Sequence, residues 1–129
     1  MRIHKFFRFN IEGDELDPNA IKDAVNLPCD VFIKGETVVW GILQEKFFQK
    51  TNRWLYSTDL PGRSSVSAFL TRQLESISKN LPVLKDYIEK YDSHMELVLY
   101  AGNETEITLN LKQIQLLEKI GVEFSISFC

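Results

Sequence analysis

Three segments of the chain carry apolar residues at every second position, which is the pattern of a β-strand with one buried face. The segments lie around residues 7–11, 95–101 and 122–128. Their alternating apolar residues are Phe7, Phe9 and Ile11; Met95, Leu97, Leu99 and Ala101; and Val122, Phe124, Ile126 and Phe128. Because the positions between them are polar, the pattern predicts a sheet with a core on one face and water on the other.

The intervening positions define the second face of that predicted sheet. They are Arg8, Asn10, Glu12, Glu96, Tyr100, Glu123, Ser125 and Ser127. These side chains are polar enough to face water, and they contain no catalytic set. We therefore expect this face either to remain in solvent or to contact a partner.

Helices are predicted to cover the apolar face. Residues 66–79 have apolar side chains at spacings of three and four, and Ser65 is placed to cap them. A later helix has capping-box spacing between Asn110 and Gln113 and ends at Gly121. Its expected inward stripe is Leu111, Ile114, Leu117 and Ile120, and shorter helices are expected from Pro18 to Asn26 and from 80 to 91.

The middle of the chain is predicted to add strands at 31–33, 38–43 and 53–57, with a loop from Glu45 to Asn52. Trp54 alternates with Leu55 there, so we expect it in the core. Helices on one face of a mixed or antiparallel sheet form a two-layer α+β sandwich. At 129 residues, the chain is predicted to be one such domain, residues 1–129.

The composition of the chain argues against several classes of function. The net charge of −3 and the lack of a long Lys or Arg run argue against nucleic-acid binding. No apolar run approaches the roughly 18 residues of a membrane span, and no signal peptide is evident. Cys29 and Cys129 have no metal or redox spacing, so we expect free thiols in a reducing cytoplasm.

Six short segments, in this order and spacing, resemble one protein family. They are FRFNIEG at 7–13, LDPNAI at 16–21, KGE at 34–36, RWLYS at 53–57, LNL at 109–111 and IGVEFSI at 120–126. The resemblance is to the bacterial domain of unknown function numbered four-two-seven-nine. It implies an α+β fold without an established activity, of the kind suspected in immunity proteins that neutralise a bacterial toxin.

The first functional hypothesis is a small, non-catalytic binding module whose partner is another protein, with no cofactor. It would act by occlusion, through the second sheet face and the segment from Glu45 to Asn52. Phe47 and Phe48 are neighbours that point to opposite sides of an extended segment, so one of them is hard to bury. The predicted contact residues are Arg8, Glu12, Phe47, Phe48, Glu96, Tyr100 and Glu123.

The alternative hypothesis is a small-ligand or hydrolytic site built from His4, His94 and the acidic loop from Asp14 to Asp17. Both histidines stand near the start of a predicted strand, so the two imidazoles would approach if those strands were neighbours. No third ligand has metal-site spacing, and Asp17 is explained as a helix cap, so we expect no bound metal. A third hypothesis is a structural subunit that joins others by edge-strand pairing.

Overall fold

The computed structural model describes residues 5–40, 45–62, 65–99 and 107–128, and for the strands at 37–40 and 45–48 it describes the backbone. In chain order the elements are β1 (Phe6–Gly13), α1 (Pro18–Ala24), β2 (Asp30–Phe32), β3 (Thr37–Trp40), β4 (Glu45–Phe48), β5 (Asn52–Asp59), α2 (Val66–Lys79), α3 (Leu81–Lys90), β6 (Asp92–Leu99), α4 (Leu111–Ile120) and β7 (Glu123–Phe128). This mixture of helices and strands confirms the predicted α+β class.

Five strands form one mixed sheet in the order β2-β5-β1-β6-β7. The central strand β1 is antiparallel to both of its neighbours, β5 and β6. β6 and β7 run parallel, so the chain must cross over between them, and α4 lies in that crossover. β3 and β4 pair with each other in a separate two-stranded sheet.

The helices and the apolar face of the sheet share one hydrophobic cluster. Phe7, Phe9 and Ile11 of β1 are fully buried in it. It also contains Trp54 and Tyr56 of β5, Met95, Leu97 and Leu99 of β6, and Ile21, Phe69, Leu70, Leu74, Ile77, Leu81, Leu84 and Ile120 from the four helices. The Tyr56 hydroxyl donates a hydrogen bond to Gln73 Oε1 of α2. The helices therefore lie on the face predicted to be buried, and Trp54 is a core residue as expected.

Local capping signals set the ends of three helices. Asp17 Oδ1 accepts hydrogen bonds from the backbone N–H of Asn19 and Ala20 at the start of α1. Ser65 caps α2, and Asn110 with Gln113 forms the predicted capping box of α4. α4 ends at Gly121, whose φ of +70° is a left-handed conformation that glycine adopts without strain. The starts of these three helices and the end of α4 agree with the sequence prediction.

The predicted inward stripe of α4 is wrong at its start. Leu111 and Ile114 are 69% and 49% exposed, whereas Gln113 is fully buried. The Gln113 Nε2 donates hydrogen bonds to Ser67 O, Ser67 Oγ and Thr71 Oγ1 of α2. These bonds turn the polar side of the first turn of α4 towards α2. The hydrophobic contacts come later in the helix, from Leu116, Leu117 and Ile120.

Other boundaries differ by a few residues from the prediction. The segment 45–48, expected in a loop, is strand β4, and β6 begins at Asp92 rather than Met95. α1 ends at Ala24, two residues before the predicted end. β7 is an edge strand, so its apolar residues are only partly covered, and Phe128 is 47% exposed. No helix among the described residues has the length and apolarity needed to cross a membrane.

Candidate functional site

The side of the five-stranded sheet that faces away from the helices is called the polar face here. Residues paired across neighbouring strands point to the same side of a sheet, so the register assigns each side chain to a face. The polar face carries Phe6, Arg8, Asn10 and Glu12 of β1; Asp30 and Phe32 of β2; Arg53, Leu55, Ser57 and Asp59 of β5; Asp92, His94, Glu96 and Val98 of β6; and Glu123, Ser125 and Ser127 of β7. Four predicted contact residues, Arg8, Glu12, Glu96 and Glu123, thus share one face.

Acidic side chains predominate on this face. Among its described residues, six carboxylates (Glu12, Asp30, Asp59, Asp92, Glu96 and Glu123) stand against the guanidinium groups of Arg8 and Arg53. Four of the acids, Asp30, Asp59, Asp92 and Glu123, are exposed, and we call these four the acidic rim. Asp30 and Glu123 lie on the two edge strands, and Asp59 and Asp92 lie opposite the two ends of β1. The rim therefore surrounds the centre of the face with negative charge.

A network across three strands occupies that centre. Arg8 Nε and Nη2 of β1 donate to Glu96 Oε2 of β6 at 3.0 and 2.6 Å. The other carboxylate oxygen, Glu96 Oε1, accepts from Ser127 Oγ of β7 at 2.9 Å. The Glu96 side chain is only 16% exposed and that of Arg8 is 36% exposed, so the carboxylate is better shielded from water than in an ordinary surface salt bridge.

The surroundings of Glu96 lower its pKa below the ordinary value for glutamate. Partial burial alone would raise that pKa, but the hydrogen bonds from Arg8 and Ser127 outweigh it, and the charges of Arg8 and His94 act in the same direction. A carboxyl with a lowered pKa in the folded state stabilises the fold above its unfolded pKa of about 4.3. That contribution is lost as the pH falls through the lower pKa of the folded state.

Replacing Arg8 by methionine therefore has a pH-dependent effect. At pH 7 we expect Arg8→Met to lower the free energy of unfolding by about 1 to 2 kcal/mol, because Glu96 loses its charged donor. The difference from wild type should shrink on acidification to about pH 3, as Glu96 takes up a proton and loses the charge that Arg8 stabilises. Urea unfolding at the two pH values measures both differences. Arg72→Met, on the exposed side of α2, is the matched control, and an Arg8→Met effect that is the same at both pH values would contradict the coupling.

A second polar cluster joins β1 to β5. Arg53 Nε donates to Asn10 Oδ1, and the Arg53 guanidinium lies 5.7 Å from the centre of the Phe32 ring. Burial lowers the pKa of Arg53, with Glu12 opposing the shift and Arg8 adding to it. Asn10 is only 1% exposed, so the prediction that this position faces water is wrong, because the side chain of Arg53 is bonded to it.

The polar face also contains apolar side chains. Val98 is 4% exposed and does not belong to the main hydrophobic cluster. Its register partners are Phe6 on β1 and Ser127 on β7. The Arg8 guanidinium lies 5.6 Å from the centre of the Phe6 ring. Each arginine of the face thus contacts one phenylalanine, Arg8 with Phe6 and Arg53 with Phe32.

The structure does not assemble the predicted site of histidines and acidic residues within the described part of the chain. β1, which follows His4 in the sequence, and β6, which contains His94, are neighbours, but they are antiparallel, so the start of β6 lies beside the end of β1. His94 faces Asn10 and Glu123 rather than the beginning of β1. In the acidic loop, Asp17 caps α1 and Asp14 pairs with Lys34 Nζ at 3.4 Å. The described residues contain no group of three or more His, Cys, Asp or Glu placed to hold a metal ion.

Several predicted residues lie outside what the structure describes. These are His4, Tyr100, Cys129 and the side chains of Phe47 and Phe48. Cys29 is half-buried and free, as expected. The structure adds Asp30, Asp59 and Asp92 of the rim, and also Arg53 and Phe32, to the polar face. For the β5 residues the sequence signal was present, because Arg53, Leu55, Ser57 and Asp59 alternate with buried Trp54 and Tyr56.

A family match covers nearly the whole chain. The family model described as Domain of unknown function (DUF4279) matches residues 3–128, which is nearly the whole chain. The chain belongs to the DUF4279 family. Neither the curated proteins nor the solved structures contain a match to this DUF4279 member. The polar face, built from residues that lie within the family match, is therefore the candidate site on which a function is proposed.

Proposed function

We propose that this DUF4279 protein is a non-catalytic binding protein of the immunity or antitoxin type, acting in a bacterial cytoplasm. Its partner would be another protein that presents a basic surface. The polar face would dock on that surface and neutralise the partner by covering it. The observation that carries the proposal is the acidic rim around a pre-arranged centre of arginine and phenylalanine side chains.

Charge complementarity supports the choice of a basic partner. The six carboxylates and two arginines give the polar face a net negative charge. This charge is larger than the share that the face would carry if the net charge of −3 were spread evenly over the protein surface. Rim charges attract an oppositely charged partner during diffusion and raise the association rate, which falls as salt increases. Exposed acids at four sides of the face would also repel acidic proteins.

The centre of the polar face has features of the middle of a protein interface. Arginine and aromatic residues are enriched among the residues that dominate binding energy, and a polar rim commonly surrounds them. Arg8 is hydrogen-bonded to Glu96, and Arg53 is hydrogen-bonded to Asn10. Because both side chains are already ordered, binding a partner costs less conformational entropy. A partner that meets this face therefore finds fixed donors with half-buried Phe6 and Phe32 beside them.

Occlusion needs neither a cofactor nor a reacting group on this chain. A sheet face of this kind neutralises a partner by lying over its active surface, and the affinity comes from contact and charge. The segment from Glu45 to Asn52 remains part of the proposed contact. It contains β4, and its last residue, Asn52, is held close to the sheet by hydrogen bonds. Asn52 Oδ1 accepts from the backbone N–H of Lys34, and Asn52 Nδ2 donates to Asp14 O.

A charge-reversal experiment tests the proposal. The tagged protein is used to capture its partner from a lysate of the native host, and the partner is then purified and its dissociation constant measured. The variant Asp59→Lys/Asp92→Lys/Glu123→Lys reverses three rim charges and leaves Glu96 intact. The matched control, Asp23→Lys/Asp86→Lys/Glu118→Lys, reverses three exposed charges on the helices.

The rim variant is expected to weaken binding by about 100-fold or more, because each close charge pair contributes on the order of 1.4 kcal/mol, or tenfold. The control is expected to bind within about twofold of wild type, and carbodiimide cross-links should join rim carboxylates to partner lysines. Equal losses in both variants, a partner with an acidic contact surface, or no partner at low salt would each overturn the proposal. Circular dichroism verifies that both variants remain folded.

A further inference from the structure

A cavity with basic walls lies where three helices meet, away from the polar face. Its volume is about 380 Å³, and it is lined by Ser78 and Lys79 of α2, by Leu81, Pro82 and Lys85 of α3, and by Lys119 of α4. This volume falls in the range of small-molecule sites. None of the lining residues is acidic, so the lysines give the cavity its charge.

The three lysines that line the cavity come from three different helices. Lys79 lies in the last turn of α2 and Lys119 in the last turn of α4, while Lys85 lies in the first half of α3. Lysine in a last turn also interacts favourably with the helix dipole, which accounts for two of the positions individually. It does not account for a third lysine from α3 at the same cavity.

Carboxylates of the described chain do not neutralise this cluster. Lys79, Lys85 and Lys119 form no ion pair or hydrogen bond with another described residue. Glu75, one turn before Lys79 on α2, is paired with Lys112 Nζ at 2.7 Å. Lys112 lowers the pKa of Glu75 through that hydrogen bond and its charge, and Lys79 contributes least to the lowering. The acid nearest to Lys79 along α2 is thus already paired.

The start of α3 contributes in the same direction. Its N-cap residue Asn80 makes no side-chain bond to the first turn of the helix, because its amide is used elsewhere. Asn80 Oδ1 accepts from the backbone N–H of Asn26, and Asn80 Nδ2 donates to Ser76 O. The positive end of α3 is therefore left without a side-chain oxygen, and Leu81 and Pro82 of its first turn line the cavity. Val83 and Leu84 already donate to Asn80 O and Pro82 has no N–H, so this end contributes through the helix dipole and not through those three residues as donors.

We propose that this cavity binds a small phosphate-bearing anion. Three ammonium groups supply donors and a positive charge that exceeds the partial negative charges at the C-terminal ends of α2 and α4, and the Ser78 hydroxyl adds a further donor or acceptor. Phosphate oxygens accept from lysine as from a point charge, without the planar geometry that arginine imposes. The cavity is large enough for a phosphate group with a small substituent. This site is independent of the polar face and of the proposed protein partner.

Pyrophosphate and inorganic phosphate are suitable probes. Their binding to the full chain is measured by isothermal titration calorimetry at constant ionic strength, with chloride as the replaced anion. The variant Lys79→Gln/Lys85→Gln/Lys119→Gln removes the three charges of the cavity. The control Lys22→Gln/Lys50→Gln/Lys90→Gln removes the same number of exposed charges elsewhere.

Saturable binding of either probe to the wild type is expected, with an affinity at least about tenfold weaker in the cavity variant. The control should stay within about twofold of wild type. Absence of saturable binding, or the same loss of affinity in both variants, would overturn the proposal. Thermal unfolding of each variant without a probe separates loss of binding from loss of structure, and shifted amide resonances around 78–85 and 119 in the wild type must accompany true binding.

Discussion

Replacement of Trp54 by alanine is expected to lower the free energy of unfolding by about 3 to 5 kcal/mol. Trp54 is fully buried on β5, between β1 and β2 in the sheet. Its ring meets Phe9 edge to face, with centroids 5.5 Å apart and an interplanar angle of 89°. Truncation removes this contact and leaves a cavity in the hydrophobic core. Urea unfolding of the wild type and Trp54→Ala measures the loss, followed by circular dichroism.

Phenylalanine at the same position is the matched comparison. Within the part of the chain that the structure describes, the buried Nε1 of Trp54 has no hydrogen-bond partner. An unpaired buried donor costs about 1 to 3 kcal/mol, so Trp54→Phe removes a penalty while it loses some apolar area. We expect it to cost less than half as much as Trp54→Ala. Leu111→Ala, at a site 69% exposed, is the control for truncation outside the core. A phenylalanine variant as unstable as the alanine variant would contradict the assignment of an unpaired indole N–H.

Gln113→Leu is expected to cost about 2 to 4 kcal/mol, although leucine is the more hydrophobic residue and the site is fully buried. The Gln113 side chain accepts from the backbone N–H of Asn110 at 2.8 Å and donates to Ser67 and Thr71 of α2. Leucine removes the capping-box hydrogen bond in which the Gln113 side chain accepts from Asn110 N–H. It also leaves the acceptor oxygens of Ser67 and Thr71 on α2 without the Gln113 donor. Urea unfolding at neutral pH measures the change.

Asn110→Ala separates the two roles of Gln113. That variant removes the cap on Gln113 N but keeps the contacts between Gln113 and α2, so it should cost only about 1 kcal/mol. If Gln113→Leu cost no more than Asn110→Ala, the contacts between α4 and α2 would contribute nothing measurable. The hydrogen bonds to Ser67 and Thr71 would then not explain the orientation of α4.

Features that depend on neighbouring residues in sequence were predictable. The caps at Asp17, Ser65 and Asn110 act within three residues, and the alternation in β1 and β6 identifies the strand face that packs in the core. The inward face of α4 was not predictable, because Gln113 is buried by bonds to Ser67 and Thr71, more than 40 positions away. An apolar stripe at helical spacing could not show that a glutamine would take the inner position.

The candidate site was likewise predictable only in part. Alternation places Arg8, Glu12, Glu96 and Glu123 on one face, but it does not show which strands are neighbours or in which direction they run. The antiparallel pairing of β1 and β6 places His94 beside the end of β1, whereas the prediction required the starts of the two strands to meet, and His4 itself lies outside the described residues. Burial of Asn10 likewise depends on Arg53, which lies on a strand 43 positions later.

The two layers of the molecule carry opposite charge balances. The polar face has six carboxylates and two arginines, whereas the four helices carry seven cations and five carboxylates. The described charges of the polar face and the helices therefore form an electric dipole directed from one layer to the other. Near a basic surface, this dipole would orient the protein before contact, with the polar face of the sheet towards that surface. Two copies would attract head to tail, and this arrangement forms open chains rather than a closed dimer. Such association would be detected as light scattering that is reversible and disappears when salt is added.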